Sequence, residues 1–170
     1  QLFHEIDTLG VNSIGIVIII SVFIGGFMTI QFAYSMMNPL YPSTLIGLGT
    51  RDTLILEFSS TMLALIMAGK IGSNITSEIG TMRVTEQIDS LEIMGINSAS
   101  YLILPKIIAV VFIFPFLFII SVFFGLIGGL ITGPAAGVIT MPEYIEGIKW
   151  LFEPYYVTFS LIKSLRSEEH

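Results

Sequence analysis

Three long apolar runs, separated by more polar connections, dominate the pattern of the chain. They cover 11–34, 53–69 and 107–131, and the third run contains no charged residue. A helix of this length, rising about 1.5 Å per residue, is long enough to cross the roughly 30 Å hydrocarbon core of a bilayer. Since only helices and closed barrels satisfy every backbone hydrogen bond in hydrocarbon, the pattern predicts three transmembrane helices. A fourth apolar stretch, 156–165, is too short to span a bilayer.

The connection between the second and third runs, 72–100, is the longest and has a helical period of its own. The apolar positions of this period share one stripe of a helical wheel, and charged positions take the remaining arc. The stripe consists of Val84, Ile88 and Leu91, and the arc of Arg83, Glu86, Asp89 and Glu92. Helices that rest on a membrane surface usually carry Lys or Arg on the polar face. This arc is mostly acidic, which favours a protein partner instead.

The positive charges near the three runs predict the orientation of the chain. Lys70, Arg83 and Lys106 lie within or beside the 72–100 connection, against Arg51 and Lys149 near the other two. By the positive-inside rule the 72–100 connection is cytoplasmic. The prediction is therefore an all-α integral membrane protein: a polytopic helical bundle with a cytoplasmic amphipathic helix between spans two and three, forming a single domain over 1–170.

Composition narrows the functional classes. The chain is 54% apolar and 12% charged, whereas a soluble domain is about 25% charged, so lipid must be part of its solvent. A net charge of −6 argues against nucleic-acid binding. There is no cysteine, and the two histidines, His4 and His170, lie at opposite ends. No metal site, cofactor site or catalytic nucleophile–base pair is therefore predicted.

Two charged residues inside apolar stretches are the candidate functional positions. Glu57 lies near the start of the second run, and Ser59 and Ser60 follow it closely. Intramembrane carboxylates usually mark functional sites, so Glu57 is predicted to face a polar cavity, with the serines able to bind a ligand. The alternative is that Glu57 reaches the interface and the serines bond backbone carbonyls. Lys163 is a lone cation in the fourth stretch, and it either lines a polar cavity or marks the end of the stretch.

Small residues and prolines are predicted to shape the spans. The stretch AGKIGSN, 68–74, lacks the strand–loop–helix context and the GK[ST] ending of a phosphate loop, so close helix packing is favoured. Gly125, Gly128 and Gly129 are interpreted in the same way. Pro105 is predicted to start the third helix and Pro115 to kink it.

One long run carries a family resemblance. The residues SEIGTMRVTEQIDSLEIMGINSASYLILPKIIA, 77–109, resemble the signature of the MlaE-type permeases, with AGKIGSN before it and SLIKS, 160–164, after it in the expected order. The resemblance implies a non-enzymatic membrane subunit of an ABC transporter in the bacterial inner membrane. Such a subunit moves phospholipid or a similar hydrophobic molecule, pairs with a second copy, and works with a separate ATPase and an MCE-domain protein.

The resemblance also implies roles for individual residues. Glu57 and Lys163 match family positions near the lipid cavity, and Ser59 and Ser60 stand where the family often has Gly-Pro. Leu56 occupies a position where the family often has arginine. The residues implied to dock into the ATPase are Glu78, Arg83, Glu86, Gln87, Asp89 and Glu92.

Family members are typically longer, with an N-terminal interfacial helix and five spans. The chain is therefore expected to be trimmed at both ends, holding three spans and the start of a fourth. The alternatives are a secondary transporter or channel, which would have repeated halves or several buried charges, and a non-transporting membrane scaffold. An enzyme is the weakest alternative.

Overall fold

The computed structural model describes residues 10–36, 40–95, 98–150 and 154–167, and these form helices joined by turns, with no strand. A π-helix, Leu54–Phe58, joins the α-helices Thr44–Thr53 and Ser59–Val84 into one continuous helix. The α-helices are α1 (Asn12–Ser35), α2 (Thr44–Thr53), α3 (Ser59–Val84), α4 (Gln87–Ile93), α5 (Ser98–Ala135), α6 (Met141–Lys149) and α7 (Pro154–Ser167). The predicted all-α class is confirmed.

Three of these helices are long and apolar enough to cross a membrane: Asn12–Ser35, Thr44–Val84 and Ile103–Ala135. They correspond to the three predicted apolar runs. Length and composition thus define a multi-pass membrane protein. The fourth stretch forms α7, which begins two residues earlier than predicted and packs Tyr156 and Leu161 against the main core.

The first and third spans run parallel and pack closely through small residues. Ser21 Oγ lies 2.8 Å from Ser121 Oγ in the middle of the contact. A methyl group on Gly25 would overlap the Gly125 carbonyl oxygen, and one on Gly128 would overlap the Val22 carbonyl oxygen. The packing role predicted for Gly128 is therefore confirmed, since only glycine permits this approach.

The second span is longer than its apolar run. The sequence predicted a helix over 53–69 and a separate connection from residue 72, but the helix begins at Thr44 and continues to Val84. Glycine in a helix costs only about 1 kcal/mol relative to alanine, so Gly72 does not interrupt it. Two side chains also tie it to neighbouring helices. Lys70 Nζ donates to Ser13 Oγ at 2.8 Å, and Lys106 Nζ lies 2.5 Å from Glu78 Oε2.

The amphipathic connection is divided, not formed by one helix as predicted. Val84 ends α3, Glu86 adopts a left-handed conformation with φ 57°, and α4 begins at Gln87. The predicted stripe therefore belongs to two helices with a break between them. Gly95, with φ 76°, follows α4.

One prediction about the third helix was wrong. Pro105 does not start the third span, because α5 begins at Ser98 and encloses both Pro105 and Pro115. In a transmembrane bundle, neighbouring groups can satisfy the backbone that proline frees. Two shorter helices lie outside the predicted runs: α2 between the first and second runs, and α6 beyond the third.

Candidate functional site

The two charged candidates inside apolar stretches lie together. Lys163 Nζ on α7 lies 3.3 Å from Glu57 Oε2 and donates to the Leu56 carbonyl oxygen at 3.0 Å. The sequence placed both residues in one neighbourhood only through the family resemblance. The structure brings them into an ion pair.

A π-turn shapes the helix where Glu57 lies. The ladder widens from i→i+4 to i→i+5 over Leu54–Phe58. Within this turn the Leu56 carbonyl oxygen accepts a hydrogen bond from the Lys163 ammonium, and π-turns of this kind are frequent at functional sites. The residue types of this segment did not predict the turn, since all of them also occur in regular α-helices.

The pair lies on the surface of the chain, although Glu57 belongs to the second candidate span. The Glu57 side chain is 66% exposed and that of Lys163 is 38% exposed. A charged group facing lipid tails in mid-span is costly. This surface therefore suits a hydrated or polar cavity, or contact with another subunit, and does not suit hydrocarbon.

An apolar groove adjoins the pair. Glu57, Phe58, Thr61 and Met62 line a cavity of about 140 Å³. Phe58 also lines a neighbouring cavity of about 350 Å³ between α1 and the second span. The other residues of this second cavity are Phe27, Met28, Gln31, Phe32, Ser35 and Thr53. An ion pair beside an aromatic and aliphatic groove matches the two ends of an amphiphile.

The two candidate serines do not both join this site. Ser60 is buried, and its hydroxyl donates to the Glu57 carbonyl oxygen at 3.4 Å. The backbone-bonding alternative thus describes Ser60. The side chain of Ser59 lies outside the part of the chain that the structure describes.

The residues predicted to contact an ATPase divide into two groups. Glu78 forms an ion pair with Lys106, whose side chain is only 4% exposed, so Glu78 fastens α3 to α5. Arg83, Glu86, Gln87 and Asp89 are exposed around the turn between α3 and α4. The side chain of Glu92 lies outside the described residues.

This turn lies well beyond the end of the first span. Lys70 contacts Ser13, the second residue of α1. The helix then continues to Val84, about 20 Å farther along its axis at about 1.5 Å per residue. Val84, Ile93 and Met94 are all more than half exposed at this end. Exposed apolar side chains among charges are typical of a protein-binding surface.

A buried arginine at the opposite end was missed by the sequence reasoning, which counted it only as a flanking charge. Arg51 is 2% exposed, and its guanidinium pairs with Asp52 at 2.7 Å. It also donates to the carbonyl oxygens of Ile148 at 2.7 Å and Trp150 at 2.8 Å. The adjacent Arg-Asp at the edge of a span was the only signal that could have identified it.

The helix α6 is fastened to the same end of the second span. Glu143 accepts hydrogen bonds from the Thr140 hydroxyl at 2.7 Å, the Thr140 backbone N–H at 3.0 Å and the Ser43 hydroxyl at 2.9 Å. These bonds, those from Thr140 first, hold the pKa of the Glu143 carboxyl below its usual range. Tyr144 is fully buried behind it. The α2–α6 contact is therefore a capped, well-packed unit.

The fold and site together define an all-α, multi-pass membrane protein with a polar pair on the surface of a span and a charged turn beyond the bundle. A model of the family described as Permease MlaE matches residues 2–166. The chain belongs to this family of ABC transporter permeases.

Relatives in bacteria and plants share nearly the whole chain. A probable ABC transporter permease of Synechocystis is 32% identical in sequence over a match that covers 95% of this chain and 61% of the length of the relative. One of Rickettsia prowazekii is 30% identical over 96% of this chain and 62% of its own. The chloroplastic protein TRIGALACTOSYLDIACYLGLYCEROL 1 of Arabidopsis thaliana is 28% identical over 95% of this chain and 46% of its own. The chain thus spans less than two thirds of the length of these relatives.

Proposed function

We propose that the chain forms the membrane-spanning core of an ABC transporter permease that moves phospholipid or a similar amphiphile. The observation that carries this proposal is the exposed Glu57–Lys163 pair beside an apolar groove. A lipid headgroup can exchange hydrogen bonds with the pair, while its acyl chains lie against Phe27, Met28 and Phe58. One Arabidopsis relative carries the name of a galactolipid, which agrees with a lipid substrate.

The groove is open to one side, and a second copy of the permease is proposed to close it. An exposed ion pair within a span needs shielding from hydrocarbon. Two copies facing each other would enclose a cavity with one pair on each wall. The pair would then lie in a polar region between the two subunits. The side chains that are exposed in the single chain would face the shared cavity.

A separate ATPase is proposed to bind the exposed turn between α3 and α4. Arg83, Glu86, Gln87 and Asp89 supply polar contacts there, and Val84 and Ile93 supply apolar area. Nucleotide binding changes the conformation of the permease only if it favours one state over another. The ion pair of Glu78 with Lys106 would carry that preference from the turn into α5. Glu92 is proposed for the same contact from the sequence alone.

An MCE-domain partner and a location in the bacterial inner membrane complete the proposal, and both rest on family membership. The turn at Glu86 would face the cytoplasm, as the positive-inside rule predicts. Hydrolysis of ATP would belong to the partner subunit.

The deciding experiment measures the lipid bound to the full-length permease in its complex. Wild type, Glu57→Gln and Lys163→Gln are purified gently, and the lipid per permease is quantified by mass spectrometry. We expect each variant to retain several-fold less lipid, or a different headgroup class, since each breaks the pair. Glu146→Gln, an exposed carboxylate on α6, is the matched control and should behave as wild type. Equal lipid content and class in all four proteins would refute the cavity role.

A further inference from the structure

The Glu57–Lys163 pair is too weakly held to define its own position. Both side chains are exposed, and exposed ion pairs contribute little because solvent competes for each charge. The pair also joins two elements, the second span and α7, that are far apart in the sequence. Apolar packing of Tyr156 and Leu161 holds α7 against the core, and a directional polar contact near the start of α7 would further define its position along the second span.

Arg51 makes contacts of the right kind and in the right place. It lies six residues before Glu57 and three residues before the π-turn begins. Its carbonyl acceptors, Ile148 and Trp150, are at the end of α6, just before α7 begins at Pro154. The Arg51 contacts and the Glu57–Lys163 pair therefore both start from residues 51–57 of the second span, the first reaching the end of α6 and the second reaching α7.

The two links differ in strength. The Arg51 guanidinium is buried, and Asp52 orients it through Nε at 2.8 Å and through Nη2 at 2.7 Å. Its Nη1 is then directed at both carbonyl oxygens. Charge-assisted hydrogen bonds in a buried, planar fork are much stronger than an exposed ion pair. Arg51 is thus the rigid link, and the exposed pair follows it.

We infer that Arg51 is a positioning residue for the Glu57–Lys163 pair, fixing the register of α7 against the π-turn so that Lys163 reaches both Leu56 and Glu57. The consequence for lipid binding rests on the proposed function, whereas the positioning itself does not. Loss of the Arg51 contacts lets α7 shift along the second span. The Lys163 ammonium then separates from the Glu57 carboxylate, although both groups are still present.

A spin-label distance tests the register directly. Residues 1–170 contain no cysteine, so within them labels attach only at Leu65→Cys on α3 and Tyr155→Cys on α7, and any cysteine elsewhere in the complex is first replaced by serine. Both label sites are exposed and lie outside the Arg51 contacts and the Glu57–Lys163 pair. The distance distribution is measured by pulsed electron paramagnetic resonance in the assembled complex. We expect Arg51→Gln to broaden the distribution and to shift its mean by the rise of one helical residue, about 1.5 Å, or more.

A second variant keeps the test decisive if Arg51→Gln does not assemble. Arg51→Lys retains the charge, but one ammonium cannot serve Asp52 and two carbonyls in the same plane, so the same shift is expected. Lys149→Gln, an exposed cation at the end of α6, should leave the distance unchanged. Distributions of Arg51→Lys and wild type that superimpose would overturn the inference, even if the melting temperature of the variant falls.

Lipid retention in the same samples separates the two proposals. If Arg51→Lys shifts the distance and also lowers lipid content, as Lys163→Gln does, both proposals are supported. If the distance shifts while no variant changes the bound lipid, the positioning stands and the lipid role fails. If lipid falls in Lys163→Gln but the Arg51 variants keep the wild-type distance, only the positioning fails.

Discussion

The ammonium of Lys106 lies 2.5 Å from the carboxylate of Glu78, where the second span extends beyond the end of α1. Lys106 is buried while Glu78 is 40% exposed, so the pair joins the inner face of α5 to the side of α3. The sequence placed Glu78 among the residues that contact the ATPase. Its ion pair adds a second role, a link between the projecting turn and the third span.

Replacing Glu78 by glutamine should destabilise the permease moderately. The buried Lys106 loses a charged partner, which costs about 1–2 kcal/mol once the partial exposure of Glu78 is considered. Thermal unfolding of the purified protein measures the loss. Asp89→Asn, an exposed acid on α4, is the control and should change stability by no more than about 0.5 kcal/mol. Equal stability of the two variants would contradict the link.

Removing the acidic side chains of the projecting turn should uncouple the ATPase. Glu86→Ala combined with Asp89→Ala is expected to lower both ATPase co-purification and lipid movement, because both carboxylates are exposed at the proposed contact. Lipid transfer in reconstituted vesicles and the ATP hydrolysis rate are measured together. Glu146→Ala, which removes an exposed acid on α6, away from the projecting turn, should leave lipid transfer and ATP hydrolysis unchanged. Normal coupling in the double variant would place the ATPase contact elsewhere.

The close contact between the first and third spans predicts opposite outcomes for two glycines of α1. Gly25→Ala forces a methyl group into the Gly125 carbonyl, and such overpacking costs about 1–3 kcal/mol or more. A Cβ added at Gly15 would meet no packed neighbour within 4 Å. Gly15→Ala should therefore be neutral or stabilising by up to about 1 kcal/mol from helix propensity. Unfolding of both variants in the same detergent checks the contrast. A harmless Gly25→Ala would show that the helices do not pack this closely.

Glu143 predicts a pH dependence at the α2–α6 contact. Hydrogen bonds from Thr140 and Ser43 hold its pKa below the usual range in the folded protein. Its contribution to stability is therefore complete above the ordinary carboxyl pKa and is lost as the pH falls through the lower folded value. The stability difference between wild type and Glu143→Gln should be constant near neutral pH and shrink below about pH 4. Melting curves between neutral and acidic pH test this, and a difference that grows on acidification would contradict it.

Much of the functional site was predictable in kind but not in geometry. Glu57 and Lys163 stand out as charges in apolar stretches, and the 77–109 run identifies the family. Their contact depends on where α7 lies along the second span, which no local pattern encodes. Arg51 was overlooked because its partners are the backbone carbonyls of Ile148 and Trp150, and backbone acceptors leave no trace in side-chain identity.

By itself the sequence determined that this is an all-α, multi-pass membrane protein of the MlaE permease family. Hydropathy over some twenty residues is a local property, set by the transfer of each side chain from water to hydrocarbon. Tertiary structure alone decided that the second helix continues to Val84, that a π-turn opens at Leu56, and that Lys163 meets Glu57 there. Those features depend on contacts between segments that are distant in the sequence. The partner of a buried cation or of a free carbonyl oxygen is set by helix packing, which no local pattern encodes.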